Sequence, residues 1–461
     1  MKSKSADMLS GPLLGPMILY TIPIILSGVL QLLFNAADLM VVGQFCGSVS
    51  VGAVSSTGAL TNLIINLFMG ISVGAGVCVA HGLGGRREEE VHRTVHTAIP
   101  AALVSGAILT VVGVTLSEPM LRMMSTPEEV LPLSALYMKI YFLGITFTIL
   151  YNFCSAILRA AGDTRGPLIY LTVAGDINVI LNLIFVIAFD MNVAGVALAT
   201  TIAQGVSAIL TLRALMRRTD ACKLYLNKLK IYKPQLMKMI RIGLPAGVQG
   251  SMFSISNVII QSAVNSFGSA AVVAGNGAAS NMESFINTAM NAFNQTAVNY
   301  IGQNLGALQF DRIKKIFRSC LLCVAGMGLV LGPMLYVFAP QLLTFYITDS
   351  EEAVAYALVR MSITCMPYFV CGMMDVTMGA LRGLGASLQP MVVTVLGVCV
   401  MRIVWIYTIF QAPGFHTPEC LYASYPISWT LTFLILFVLF LYVLRKKEAE
   451  MQSHSQYGYT A

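Results

Sequence analysis

Twelve long apolar runs, six on each side of one basic stretch, constrain this chain more than any other feature. They fall at about 15–44, 51–80, 94–116, 131–158, 168–189 and 195–216, and again at about 239–267, 272–303, 316–338, 353–381, 390–411 and 422–444. The bilayer core is about 30 Å thick and a helix rises 1.5 Å per residue, so about 20 apolar residues cross it. Only 11% of the 461 residues are charged and 57% are hydrophobic, whereas a chain folded in water carries about 25% charged residues. The expectation is an all-α membrane protein with twelve transmembrane helices in two pseudo-symmetric six-helix bundles. Residues 1–216 form the first lobe, 217–238 a cytoplasmic basic linker, 239–444 the second lobe and 445–461 a cytoplasmic tail.

Lysine and arginine set the orientation. They collect at Lys2 and Lys4, at Arg86, Arg87 and Arg93, at Arg159 and Arg165, from Arg213 to Arg241, from Arg312 to Arg318, at Arg382, and from Arg445 to Lys447. These places precede the first span, follow each even-numbered span and close the chain. The opposite loops are nearly free of such residues, Arg122 excepted. Both termini are therefore expected in the cytoplasm of a multi-pass protein of the cell membrane, of bacterial type. The net charge of +7 follows from this bias and suits an anionic inner leaflet. The basic linker carries no folded nucleic-acid-binding module, so no nucleic-acid partner is expected.

The two halves are copies. "SAILRAAGDTRGPL" at 155–168 is echoed by "GALRGLGASLQPM" at 379–391, with Arg159, Gly162 and Pro167 matching Arg382, Gly385 and Pro390. Pro23 matches Pro245, Asn35 matches Asn257, and "GLGG" at 82–85 resembles "NLGA" at 304–307, each 222 residues on. Each half has an even number of spans, so both start on the same side. The repeats are thus parallel, with a pseudo-two-fold axis along the membrane normal. Such a pair of lobes leaves a central cleft that rocking can open to either side.

Several motifs, in order, resemble the multidrug and toxic compound extrusion (MATE) family of cation-coupled exporters. They are "PIILSGVLQLLFNAADLMVVG" in the first span, "NVILNLIFV" in the fifth, the paired "LRAAGD" and "LRGLGA", "GQNLGA" at 302–307 and "YPISW" at 425–429. The resemblance covers essentially the whole chain. It implies two six-helix bundles, a V-shaped cavity, and export driven by entry of H⁺ or Na⁺. No other cofactor is implied, and the chain is read as a monomer whose partners are small organic substrates and the lipid bilayer.

A charge inside a membrane is costly unless it pairs or meets water, so each acid within a span is a functional candidate. Asp38, Asp176, Glu283 and Asp375 are such acids. Asp38 lies in the outward part of the first span, with Asn35 three residues before it on the same face. Taking a carboxylate out of water disfavours its charged form, so such an acid can hold and release a proton. Asp38 also matches the coupling acid that the resemblance implies for this helix; a structural aspartate bonded to neighbouring helices is the alternative.

In the proton-coupled branch of the family a second acid follows an asparagine on the fifth span. Here Asn178 and Asn182 stand in those places. An amide cannot titrate, which weakens a two-carboxylate proton site and leaves oxygens suited to Na⁺ at Asp38, Asn178 and Asn182. Asp375 stands seven residues before Arg382, about two turns along one face, and is the fourth cation-coupling candidate. Its repeat mate is Asn152, so the architecture does not require a charge there. Another branch carries a glutamate on the seventh span; "GVQGSMFSISN" has none.

Glu283, with Asn281 and Asn287 nearby, is expected either to line the cleft and attract cations or to bond across helices. Gln31, Asn35, Asn152 and Asn257 are the other candidate substrate contacts, among some of the 26 Met and 22 Phe whose flexible, apolar surfaces suit varied cargo. Pro23 and Pro245 each remove one backbone hydrogen bond from the first helix of a repeat and are candidate hinges, a static kink being the other reading.

Two further function classes fit the sequence less well. A lipid-linked oligosaccharide flippase of the same broad superfamily needs a basic cavity, and intramembrane basic residues are few: Arg402, Lys139 and Arg360. A membrane enzyme is not expected: His92 and His96 are spaced for metal, but Arg93 replaces the glutamate of the zinc signature, and solvated histidines are the reading. The ten scattered cysteines read as small packing residues.

Overall fold

The computed structural model describes residues 6–123, 126–344 and 350–457; Lys2 and Lys4 fall outside them. Among the described residues there is no strand. The helices form twelve rods. In the first half these are α1 (Leu14–Phe45), α2 (Ser48–Gly84), α3 (Glu88–Met123), α4 (Leu131–Leu143 with Ile145–Ala160), α5 (Arg165–Ala188) and α6 (Asn192–Met216). In the second they are α7 (Lys233–Asn265), α8 (Ala270–Gly306), α9 (Phe310–Leu343), α10 (Glu351–Thr364 with Tyr368–Gly383), α11 (Leu388–Gln411) and α12 (Pro418–Tyr457).

Among the described residues eight helices are long and apolar enough to span a membrane, or up to ten spans when each bent pair counts as one. The two remaining helices, α7 and α8, fall short of that apolarity. These are 33 and 37 residues long but carry a series of Asn, Gln and Ser side chains. Outward-facing Val111, Leu322 and Val438 are 63%, 68% and 66% exposed, a surface that suits acyl chains and not water. The linker is shorter than expected, since α7 begins at Lys233, and the tail after Arg445 is helical as far as Tyr457.

The contacts repeat from half to half. In the first, α4 packs on α2, α3 and α6, and α5 packs on α6; in the second, α10 packs on α8, α9 and α12, and α11 packs on α12. Both α4 and α10 are bent, by 46° at Gly144 and by 53° before Tyr368. The echoed motifs are helix ends. Gly162 and Gly385 have φ of 86° and 77°, the left-handed conformation that glycine adopts without strain. At both, the same hydrogen bonds close the last turn: Gly162 N–H to Arg159 and Asp163 N–H to Leu158, Gly385 N–H to Arg382 and Ala386 N–H to Leu381. This is the left-handed helix cap in its two-bond form.

The second echo caps α2 and α8 in the same way but with side-chain-bearing residues, Arg86 at φ 51° and Leu308 at φ 58°. A left-handed L-residue costs about 1–2 kcal/mol. Leu308 is 51% exposed, so little packing is lost with it. Leu308→Gly is expected to stabilise the protein by about 0.5–1 kcal/mol, after the entropy cost of glycine. A thermal unfolding midpoint in detergent that falls would contradict this account.

By contacts the chain forms two compact units, with the division inside α7: one ends at Ser251, and the other begins at Met252 and takes in Pro12–Leu14. The first part of α7 stays with the first unit because it meets α2 backbone to backbone. A Cβ on Gly70 would lie 2.2 Å from the Gly247 nitrogen, and one on Gly74 would lie 2.1 Å from the Met239 carbonyl oxygen. Glycine is what permits that approach. Pro245 is buried in the same turn. Pro23 is buried inside α1, which runs on as one helix.

Candidate functional site

The first unit gathers four polar side chains from three helices. A close approach of α1 to α5 prepares the place: a Cβ on Gly175 would meet the Phe34 ring at 1.9 Å, so only glycine admits that ring. Asp38 lies four residues beyond Phe34, one turn on. Asn178 and Asn182 lie on the matching face of α5, 5% and 1% exposed.

Their hydrogen bonds close a ring. Asn182 Nδ2 donates to Asp38 Oδ1 and to Asn178 Oδ1 at 3.1 Å. Asn178 Nδ2 donates to Thr200 Oγ1 at 3.2 Å, and Thr200 Oγ1 donates to Asp38 Oδ2 at 3.3 Å. Asp38 forms no salt bridge among the described residues. Asn182 Oδ1 is buried and accepts no hydrogen bond. A half-buried carboxylate, three neutral neighbours and a spare buried oxygen make a place for one small cation: a proton on Asp38, or a hard metal ion that takes oxygen ligands.

Thr200 is the member that sequence reasoning missed. A threonine in a membrane helix ordinarily bonds to its own backbone one turn back, and nothing in "LATTIAQ" marks this one as different. Asp176, two residues before Asn178, is exposed and stands outside the ring. Gln31 and Asn35 are exposed on α1. Asn152 is partly buried, and its Nδ2 is taken up by the Thr148 carbonyl oxygen at 2.7 Å.

The second unit holds a cavity of about 450 Å³, lined by Asn257, Glu283, Asp375 and Arg402 among others. The sequence thus pointed at this cavity through Asn257, Glu283 and Asp375. Of the two readings of Glu283, the structure shows a carboxylate bonded across helices rather than a free acid. Its carboxylate accepts from Arg360 Nε at 3.1 Å, from Arg360 Nη2 at 2.7 Å and from Thr364 Oγ1 at 2.6 Å. Both partners of this pair are 5% exposed. The structure gives the Asp375 carboxylate no ion pair among the described residues. No cluster of three or more metal-ligating side chains of the His, Cys, Asp and Glu type occurs among the described residues.

His96 corrects the reading of His92 and His96 as solvated. It is fully buried, stacks on His92 at 4.0 Å, and its Nε2 accepts the Tyr225 N–H at 3.0 Å. It fastens the linker to α3.

The MatE family model matches residues 23–184 and 245–408, two segments whose starts, Pro23 and Pro245, are the repeat mates found above. "Probable multidrug resistance protein YoeA" of Bacillus subtilis is 28% identical over 445 residues, 94% of each chain. "Multidrug export protein MepA" of Staphylococcus aureus is 21% identical over 396 residues, covering 86% of this chain and 87% of its own. A solved structure described as the outward-facing conformation of a multidrug resistance MATE family transporter superposes with a TM-score of 0.89 at 18% identity, over 97% of this chain and all of that one. With the family matched along both halves, this multi-pass, all-helical membrane protein belongs to the MatE family of transporters.

Proposed function

We propose that the chain exports amphipathic, often cationic organic compounds in exchange for H⁺ or Na⁺, by alternating access of its two lobes. The relatives named for multidrug resistance and export support the cargo class. The observation that carries the coupling is the Asp38 ring, a carboxylate within a span whose hydrogen-bonding neighbours are all neutral. Such a charge is costly in a membrane unless a cation answers it. A proton would sit on Asp38. Na⁺ would take oxygens from Asp38, Asn178, Asn182 and Thr200, and the unused Asn182 Oδ1 supports that set. In this reading the protein acts as a monomer in a bacterial cell membrane with both termini in the cytoplasm.

The flippase alternative is weaker. A pyrophosphate-linked cargo calls for several uncancelled basic groups, and in the second unit's cavity Arg360 is neutralised by Glu283, which leaves Arg402 alone. Reconstituted vesicles loaded with a fluorescent organic cation test the proposal. With a proton gradient and a sodium gradient imposed in separate runs, one of them should drive accumulation against the dye's own gradient. A single charge moving through 100 mV contributes about 2.3 kcal/mol. If neither gradient moves the dye faster than empty vesicles, the antiport reading is lost.

A further inference from the structure

We infer that Arg402 is an anion subsite: it receives a carboxylate, phosphate or sulfonate group carried by an organic cargo in the second unit's cavity. The inference rests on the export reading above and narrows its cargo.

Two arginines line that cavity of about 450 Å³, and they differ. Arg360 is fully used, with Nε and Nη2 on Glu283 and Nη1 donating to Asn276 Oδ1 at 2.6 Å. Arg402 is 5% exposed. Its Nε donates to Ser428 Oγ at 2.9 Å. Its Nη2 is buried and has no hydrogen-bond partner. Among the described residues it forms no ion pair, and Asp375, the other acid of the cavity besides Glu283, is not joined to it. A buried, uncancelled guanidinium with an unused N–H edge is costly, so an anion that enters the cavity gains from both charge and hydrogen bonds.

Two aromatic rings lie against the guanidinium. The guanidinium carbon lies 4.1 Å from the centre of the Tyr425 ring and 5.8 Å from that of Trp429. Stacking uses the face of the guanidinium and leaves its edge for planar, two-pronged recognition of a carboxylate or phosphate. Arg402 lies two residues beyond a wide-turned π segment, Val395–Val400, a feature common where a helix presents a functional group. Met374, Met378 and Trp429 line the same space and suit an apolar body on the cargo.

Trp429 supplies the readout. The chain has two tryptophans, so Trp405→Phe leaves Trp429 as the reporter in the purified full-length protein. Three matched probes are titrated: 4-butylbenzylphosphonate, 4-butylbenzyl alcohol and 4-butylbenzyltrimethylammonium. The phosphonate is expected to change Trp429 fluorescence and to bind at least about 10-fold tighter than the other two. Arg402→Gln should remove that preference, and Arg402→Lys, which keeps the charge, should retain part of it. Equal affinities for the three probes in the Trp405→Phe protein that keeps Arg402 would overturn the inference. So would inorganic phosphate displacing the phosphonate at an equal concentration, since the site would then serve a small ion. Dye export by the same protein in vesicles is measured separately. Export without anion preference sinks only this inference, and anion preference without export sinks only the export reading.

Discussion

Asp38→Asn is expected to abolish ion-driven accumulation of an organic cation while leaving the protein folded. The substitution keeps the shape of the side chain and removes its charge. Asp38 accepts one hydrogen bond on each carboxylate oxygen, from Asn182 and from Thr200. An asparagine offers one acceptor, which can keep the Asn182 bond, and one NH₂ group, which can donate to the Thr200 hydroxyl, so the ring is kept but nothing in it can titrate. The forfeited driving force is about 2.3 kcal/mol for one charge and 100 mV, equivalent to about a 50-fold accumulation ratio. Everted vesicles with the variant should therefore show dye uptake at the level of vesicles without protein. The thermal midpoint should stay near that of the parent. Uptake at the parental rate would remove Asp38 from the coupling step.

Breaking the Glu283–Arg360 pair is expected to have the largest effect on stability. The pair joins α8 to α10 inside the second unit, with both side chains 6% exposed and the closest atoms 2.7 Å apart. It continues into a network: Arg360 Nη1 donates to Asn276 Oδ1, which also accepts from the Tyr422 hydroxyl at 3.2 Å. Removing one partner strands the other charge away from water, and such losses run to about 3–5 kcal/mol. Arg360→Met and Glu283→Met should each lower the unfolding midpoint sharply or prevent recovery of monodisperse protein. The double variant should recover a good part of the loss, because two apolar side chains of similar volume leave no orphan charge. Single variants as stable as the parent, or a double variant as poor as the singles, would show that the pair does not hold these helices together.

The two acids of the second unit show where sequence reading ends. Glu283 and Asp375 both stand inside runs that the sequence marks as spans, and either could pair, face water or meet a ligand. The deciding residue for Glu283 is Arg360, 77 positions later, which looked like one of a few isolated intramembrane bases. Glu283 is thereby tied up, and Asp375 is left without an ion pair. In the first unit Asn178 and Asn182 could be linked to each other by their spacing of four. Their link to Asp38 rested on a family resemblance and is visible as geometry only in the folded chain.

What the sequence by itself determined is what depends on near neighbours. Apolar runs of spanning length dictate helices because the backbone in lipid must satisfy its own hydrogen bonds. The duplicated Arg-x-x-Gly is a local feature too, since the backbone at Gly162 and Gly385 takes the left-handed conformation that favours glycine. What only the tertiary structure decided is which faces meet. Thr200 lies 162 residues from Asp38 along the chain, and Asn182 lies 144 away. Helical periodicity tells which side chains share a face, but not which other helix that face will touch. That depends on packing between rods, here on such details as a glycine at 175 that lets a phenylalanine ring of α1 come close enough for the carboxylate one turn on to reach its amides.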